Sequence, residues 1–329
     1  MPRIGEEMRA PWRSAAIAAL IVTALGAGYA GPAAAADAAT TAKPAAPAQP
    51  RLDEEFAKQD KIYRSRGGDV PGGYVTYRTL RAYADLLPTG FTDALRKLGA
   101  GDRWLDIGAG GGQAILDYYA PNYDGPPAGW VQPPPRPKAQ AVAMSIEDRR
   151  TDQWLQRTAM PGGDGLRYVF GKRLREYSNE ELGKFQIITD VYGGFSYTDN
   201  LAAFMEKVLA LLDTHASFYT LVASVRLEDG KDNPDKTWYL TELLDVAGRD
   251  VKVCPWLKSI SCVNVVCESK SSWETPTELI QVQKVCSEVR IPPTKLVKYE
   301  AGNPPGRVFQ LVEPAPEKAS QIGRPREAR

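Results

Sequence analysis

Apolar and polar positions along the chain follow two rhythms. Short apolar runs bounded by turn residues predict buried strands at Arg103–Ile107, Ala139–Ser145, Leu166–Phe170, Phe185–Val191 and Ser217–Ala223. Helices are predicted between them at Thr76–Leu87, Thr92–Leu98, Ala114–Tyr119 and Asp148–Arg157. A further helix follows from Leu201, Phe204, Met205, Val208, Leu211 and Leu212, whose i, i+3, i+4, i+7 spacing gives one apolar face. Strands alternating with helices predict a doubly wound α/β fold whose parallel sheet is covered on both faces. After residue 228 the texture changes. A polar, cysteine-bearing stretch precedes two late strand candidates, Glu278–Val285 and Arg307–Val312. Pro121–Lys138 is rich in Pro and Gly and reads as an irregular insertion before the second strand.

The N-terminus has a different pattern. Arg9 and Arg13 precede an apolar run from Ala15 to Ala30, followed by Ala33–Ala36. A basic region, a short apolar run and small residues predict a secretory signal over 1–36, cleaved between Ala36 and Asp37. The run is shorter than the roughly 20 residues that span a bilayer, so no stable membrane insertion is expected after cleavage. The chain is therefore expected to be exported, either periplasmic or secreted. Residues 37–51, built of Ala, Pro, Thr, Lys and Gln, are expected to be a flexible linker. The domain is expected over 52–313, with its core at 75–228 and a Cys-bearing part at 229–313. A disordered, charged tail is expected over 314–329.

Charge excludes one class of partner. With a net charge of +1 and no basic run interleaved with aromatics, no nucleic-acid partner is indicated. Cys254, Cys262, Cys267 and Cys286 are even in number, and in an exported chain they predict disulfides, with three pairings open. Metal-ligand spacing is absent, and the single histidine, His215, lies far from the cysteines in sequence. No metal is expected, and no Ser-His-Asp or Cys-His arrangement is credible.

The string Trp104-Leu105-Asp106-Ile107-Gly108-Ala109-Gly110-Gly111-Gly112-Gln113 carries the chemistry. A strand that runs into glycines and then a helix lets backbone approach a ligand at the strand's carboxyl end. The loop lacks the terminal Gly-Lys-Ser/Thr of a phosphate cradle, and Gln113 replaces the third glycine of a dinucleotide loop. Asp106, Gly108, Gly110 and Gly112 instead match Asp-x-Gly-x-Gly-x-Gly in full. Here the chain resembles the class I S-adenosylmethionine-dependent methyltransferases. Lys184–Tyr192 resembles that family's fourth-strand motif, and Val208–Asp213 the helix leading to its fifth strand.

The resemblance covers roughly residues 75–228 and implies a mostly parallel, seven-stranded methyltransferase-like sheet, with the end of the chain supplying its last strands. It implies S-adenosylmethionine as cofactor, with Gly108, Ala109, Gly110 and Gly112 under the methionine portion and Asp106 orienting it. Two departures accompany it. The acidic residue expected at the end of strand two is replaced by Met144 or Ser145, leaving Glu147, slightly later, as the candidate for the ribose hydroxyls. Lys172-Arg173 stands where the family often has an Asp for the adenine amino group. Asp190, as a base, and Tyr192 are the candidate catalytic residues at the substrate edge. The methyl acceptor is unknown. A different class stays open: an exported, non-catalytic methyltransferase-like domain that binds a small molecule or a protein.

Overall fold

The computed structural model describes residues 49–65, 78–119, 139–226, 237–270 and 277–313. The expected signal and charged tail lie outside these residues, as does nearly all of the expected linker. Among the described residues no helix is long and apolar enough to cross a membrane.

The elements in chain order begin with helices α1 (Gln49–Arg64), α2 (Leu80–Leu86) and α3 (Gly90–Lys97). Then come β1 (Arg103–Ile107), α4 (Gln113–Tyr119), β2 (Gln140–Met144), α5 (Asp152–Ala159), β3 (Leu166–Val169), α6 (Asn179–Leu182) and β4 (Phe185–Asp190). Next are α7 (Gly194–Tyr197), α8 (Leu201–Leu211), β5 (Leu212–Val222), β6 (Ser224–Arg226), β7 (Thr237–Tyr239) and β8 (Thr241–Leu244). The last are α9 (Val253–Ser259), β9 (Val263–Lys270), β10 (Thr277–Lys284), β11 (Thr294–Glu300) and β12 (Gly306–Leu311).

The main sheet has seven strands in the order β3-β2-β1-β4-β5-β10-β9. Strands β1 to β5 pair in parallel, and β10 runs antiparallel to both of its neighbours. This is the doubly wound, mostly parallel α/β sheet expected from the sequence. Its winding reverses between β1 and β4, and the carboxyl ends there diverge to leave a crevice.

Strand alternation divides the core between the two faces of the sheet. Leu105 and Ile107 of β1 join one cluster, with Phe185, Ile188, Phe218 and the apolar face of α8. Trp104 joins the other, with Phe91, Tyr118 and Trp154. Local signals place the helix starts. Thr79 caps α2 by accepting from Ala82 N at 3.2 Å, Thr151 caps α5 through Trp154 N at 3.2 Å, and Asn200 caps α8 through Ala203 N at 3.0 Å.

Three features differ from the expectation. Arg307–Val312 is a strand, but β12 pairs with β11 and β8 in a separate three-stranded sheet. Strands β8, β9 and β11 were not expected: β8 is only four residues long, and β9 and β11 interleave apolar with polar or charged residues. Helix α1 begins inside the stretch expected as a linker. The four cysteines pair as Cys254–Cys267 and Cys262–Cys286, with Cα separations of 6.5 and 5.0 Å. The first bridge ties α9 to β9, at the edge of the main sheet.

Candidate functional site

A cavity of about 450 Å³ opens at the carboxyl tips of β1 to β4, within the usual range for small-molecule sites. Its floor comes from the loops that follow these strands: Ile107, Gly108 and Gly110 after β1, Met144 to Glu147 after β2, Lys172 to Arg175 after β3, and Tyr192 to Gly194 after β4. Phe56, Gln59 and Tyr63 of α1 and Tyr299 of β11 close it from the other side.

The two central loops meet backbone to backbone. A Cβ on Gly108 would stand 2.5 Å from Gly193 Cα, and a Cβ on Gly193 would stand 2.2 Å from the Ile107 carbonyl oxygen. Gly108 also has φ +75°, a conformation costly for any residue with a side chain. The amides of Gly108 and Ala109 both donate to Met144 O at 2.9 Å, which binds the β1 loop to the tip of β2. Tyr168 Oη donates to Gly110 O at 2.5 Å. The glycine run is therefore held in place from several sides.

Of the predicted cofactor residues, Gly108, Gly110 and Glu147 line the cavity, and so does Tyr192 of the predicted catalytic pair. The others do not. Ala109 is buried in the core. Gly112 serves internal packing, since a Cβ there would meet the Trp154 ring at 2.5 Å. Asp106 is fully buried on the opposite side of the strand from Ile107. Its carboxylate accepts from Tyr83 Oη at 2.8 and 2.9 Å and from Thr189 Oγ1 at 2.8 Å. Trp104 Nε1 donates to the same threonine oxygen at 2.8 Å. Asp106 therefore supports the loop from beneath and does not face a ligand.

Asp190 is a second correction. It too is fully buried, and its two oxygens accept from Gly193 N and Phe195 N, each at 2.8 Å. It closes the turn after β4 and is not placed to take a proton from a substrate. Burial pushes both carboxyls up to about 7, against the pull of their hydrogen bonds.

The carboxylates in the wall are Glu147 and Asp199, each held by a guanidinium. Arg149 Nη2 lies 3.3 Å from Glu147, and Arg175 Nη1 lies 2.9 Å from Asp199. Six cationic side chains share the wall with them: Arg78, Arg149, Lys172, Arg173, Arg175 and Lys207. Arg78 stands 5.1 Å above the Tyr192 ring. His215 is remote from the cavity wall; its carbonyl accepts from Gln283 Nε2. Sequence reasoning missed the α1 residues and Arg78. The signal was present in α1, because Leu52, Phe56, Gln59 and Tyr63 follow a helical stripe.

No family model matches the chain, and no curated protein matches it. Solved structures show similarity of a low grade. The N-methyltransferase NodS from Bradyrhizobium japonicum WM9, in complex with S-adenosyl-L-homocysteine, is 11% identical; the match covers 69% of this chain and 98% of that one, at a TM-score of 0.40. A possible exported protein from Bordetella parapertussis is 11% identical, with 69% and 78% covered and a TM-score of 0.38. The antibiotic-resistance methyltransferase Kmr is 12% identical, with 66% and 98% covered and a TM-score of 0.35. The strand order described above stands independently of these likenesses.

Proposed function

We propose that this chain is an S-adenosylmethionine-dependent methyltransferase that uses the cavity at the β1/β4 switch point. The observation that carries this reading is the bare backbone of Gly108 and Gly110 in the cavity wall, at the tip of the central strand. The residues present fit the cofactor in three respects. The cavity has the room. Glu147, in the loop after β2, offers carboxylate oxygens to a pair of ribose hydroxyls. Arg78 has no carboxylate partner among the described residues and stands over Tyr192 in the same wall as Gly108, where it would hold the methionine carboxylate. The adenine would rest on Met144 and Ile146, with no acidic partner after β3.

When bound, the cofactor supplies an electrophilic methyl group. The protein's share is alignment and exclusion of water. The wall carboxylates are each engaged by a guanidinium group, so neither stands free toward a substrate. The site therefore suits a nucleophile that arrives without a proton to lose. Two disulfides support an oxidising compartment, so the acceptor is expected to be an envelope or secreted molecule.

Calorimetric titration of the purified chain with S-adenosylmethionine and S-adenosylhomocysteine tests the reading. Saturable binding of both is expected. Absence of heat at millimolar ligand would overturn it in favour of a non-catalytic binding domain.

A further inference from the structure

We propose that the end of the cavity roofed by α1 binds the methyl acceptor, and that this acceptor is an aromatic ring carrying an anionic group, a carboxylate or a phosphate ester. The assignment rests on the methyl-transfer reading and adds the substrate class.

The wall there is built from rings. Phe56 packs on Tyr299 with centroids 4.8 Å apart, and Tyr63 on Tyr197 at 5.5 Å. Their hydroxyls are turned to protein. Tyr63 Oη donates to Tyr197 O at 3.4 Å and is hydrogen-bonded with Tyr299, and Tyr197 Oη donates to Asn303 Oδ1. What remains for a ligand is ring carbon, which favours a flat apolar body packed by edge or offset contacts.

Charge adds the second requirement. Cations outnumber acids six to two in the wall, and both acids are paired. Arg173 has no carboxylate partner among the described residues, and its guanidinium lies 5.8 Å from the Tyr63 ring centroid. A planar, multiply donating cation beside an aromatic wall matches a carboxylate or phosphate on a ring.

Gln59 ties α1 to the turn between β11 and β12 at this end of the cavity. It is 1% exposed, and its Oε1 accepts from Gly302 N at 2.9 Å, which fixes which end of the amide is nitrogen. Nε2 then has no partner. Six buried side-chain polar atoms lack one among the described residues, and Gln59 is the only one of those residues that lines the cavity. An anionic acceptor also agrees with a wall that offers no free base.

The probes are 4-hydroxybenzoate, phenyl phosphate and the neutral 4-hydroxybenzamide, titrated calorimetrically into the full chain with and without S-adenosylhomocysteine. At least one anion should bind about ten-fold more tightly than the amide, as charge-assisted hydrogen bonds require. Arg173→Gln should erase that preference and leave S-adenosylhomocysteine affinity within about two-fold. Equal binding of anions and amide, or no binding of either while S-adenosylhomocysteine binds, overturns the acceptor class and leaves the methyl-transfer reading intact. Anion binding without any S-adenosylhomocysteine binding overturns the methyl-transfer reading and the acceptor role that rests on it. The ratio between benzoate and phosphate identifies the anion.

Discussion

The loops after β1 and β4 and the loops after β2 and β3 border the same cavity but are built in opposite ways. The first pair meets glycine to glycine, and its acidic residues, Asp106 and Asp190, are buried and fully engaged by protein donors. The second pair carries its charges outward, with Glu147, Lys172 and Arg173 at the cavity. A carboxylate near a glycine motif can thus be a beam under the site or a hand inside it. The distinction is set by which face of the strand it occupies and by whether local backbone amides claim it first.

The largest effect should come from the glycine contact. Gly193→Ala would drive a methyl group into the Ile107 carbonyl oxygen at 2.2 Å. Such a backbone clash has no side chain to yield, so a loss of about 4 kcal/mol is expected in urea unfolding. A loss below about 1 kcal/mol would show that the two loops part readily.

Asp190→Ala comes next. It strands the buried amides of Gly193 and Phe195, at an expected cost of about 2–4 kcal/mol. If the variant instead keeps its stability and loses only turnover, Asp190 returns as a catalytic group.

The buried pair also predicts a pH dependence. In the folded chain Asp106 and Asp190 hold their protons to about pH 7, while their ordinary value is 3.8. Between these values the unfolded chain binds fewer protons than the folded one. Stability contributed by these groups is therefore greatest below pH 4 and falls as pH rises to 7. In Asp106→Asn, which keeps an acceptor for Tyr83 and Thr189, denaturation midpoints between pH 4 and 8 should follow a shallower slope than in wild type. Identical slopes would mean that this burial is not felt.

The smallest effect on stability is expected at the outward loops. Glu147→Gln should leave unfolding within about 0.5 kcal/mol of wild type. It should weaken S-adenosylhomocysteine about ten-fold, through loss of charge-assisted bonds to hydroxyls. The reverse result, a stability loss with unchanged affinity, would move Glu147 into the structural group.

Much of this architecture is legible along the chain. The Arg103–Ile107 run with its glycines, the α8 stripe and the order of strands and helices all carry local signals. Helix α1 was legible in its Leu52, Phe56, Gln59 and Tyr63 spacing, but a neighbouring low-complexity stretch masked it. Of the small β11-β12-β8 sheet only the Arg307–Val312 strand was legible, since β11 alternates apolar with polar residues and β8 reaches β12 from a distant segment.

What the residues alone determined, then, is the periodicity and the turns: where strands end in glycine, which helices have a buried stripe, and that four cysteines pair. Tertiary structure alone decided which acids are buried and which meet the cavity, because each side chain's environment comes from elements remote in sequence. Asp106 meets Tyr83 and Thr189, and Gly108 meets Gly193, only after the parallel strands are laid side by side. The roof from α1 and β11 likewise arises from contacts such as Gln59 with Gly302, which no local pattern encodes.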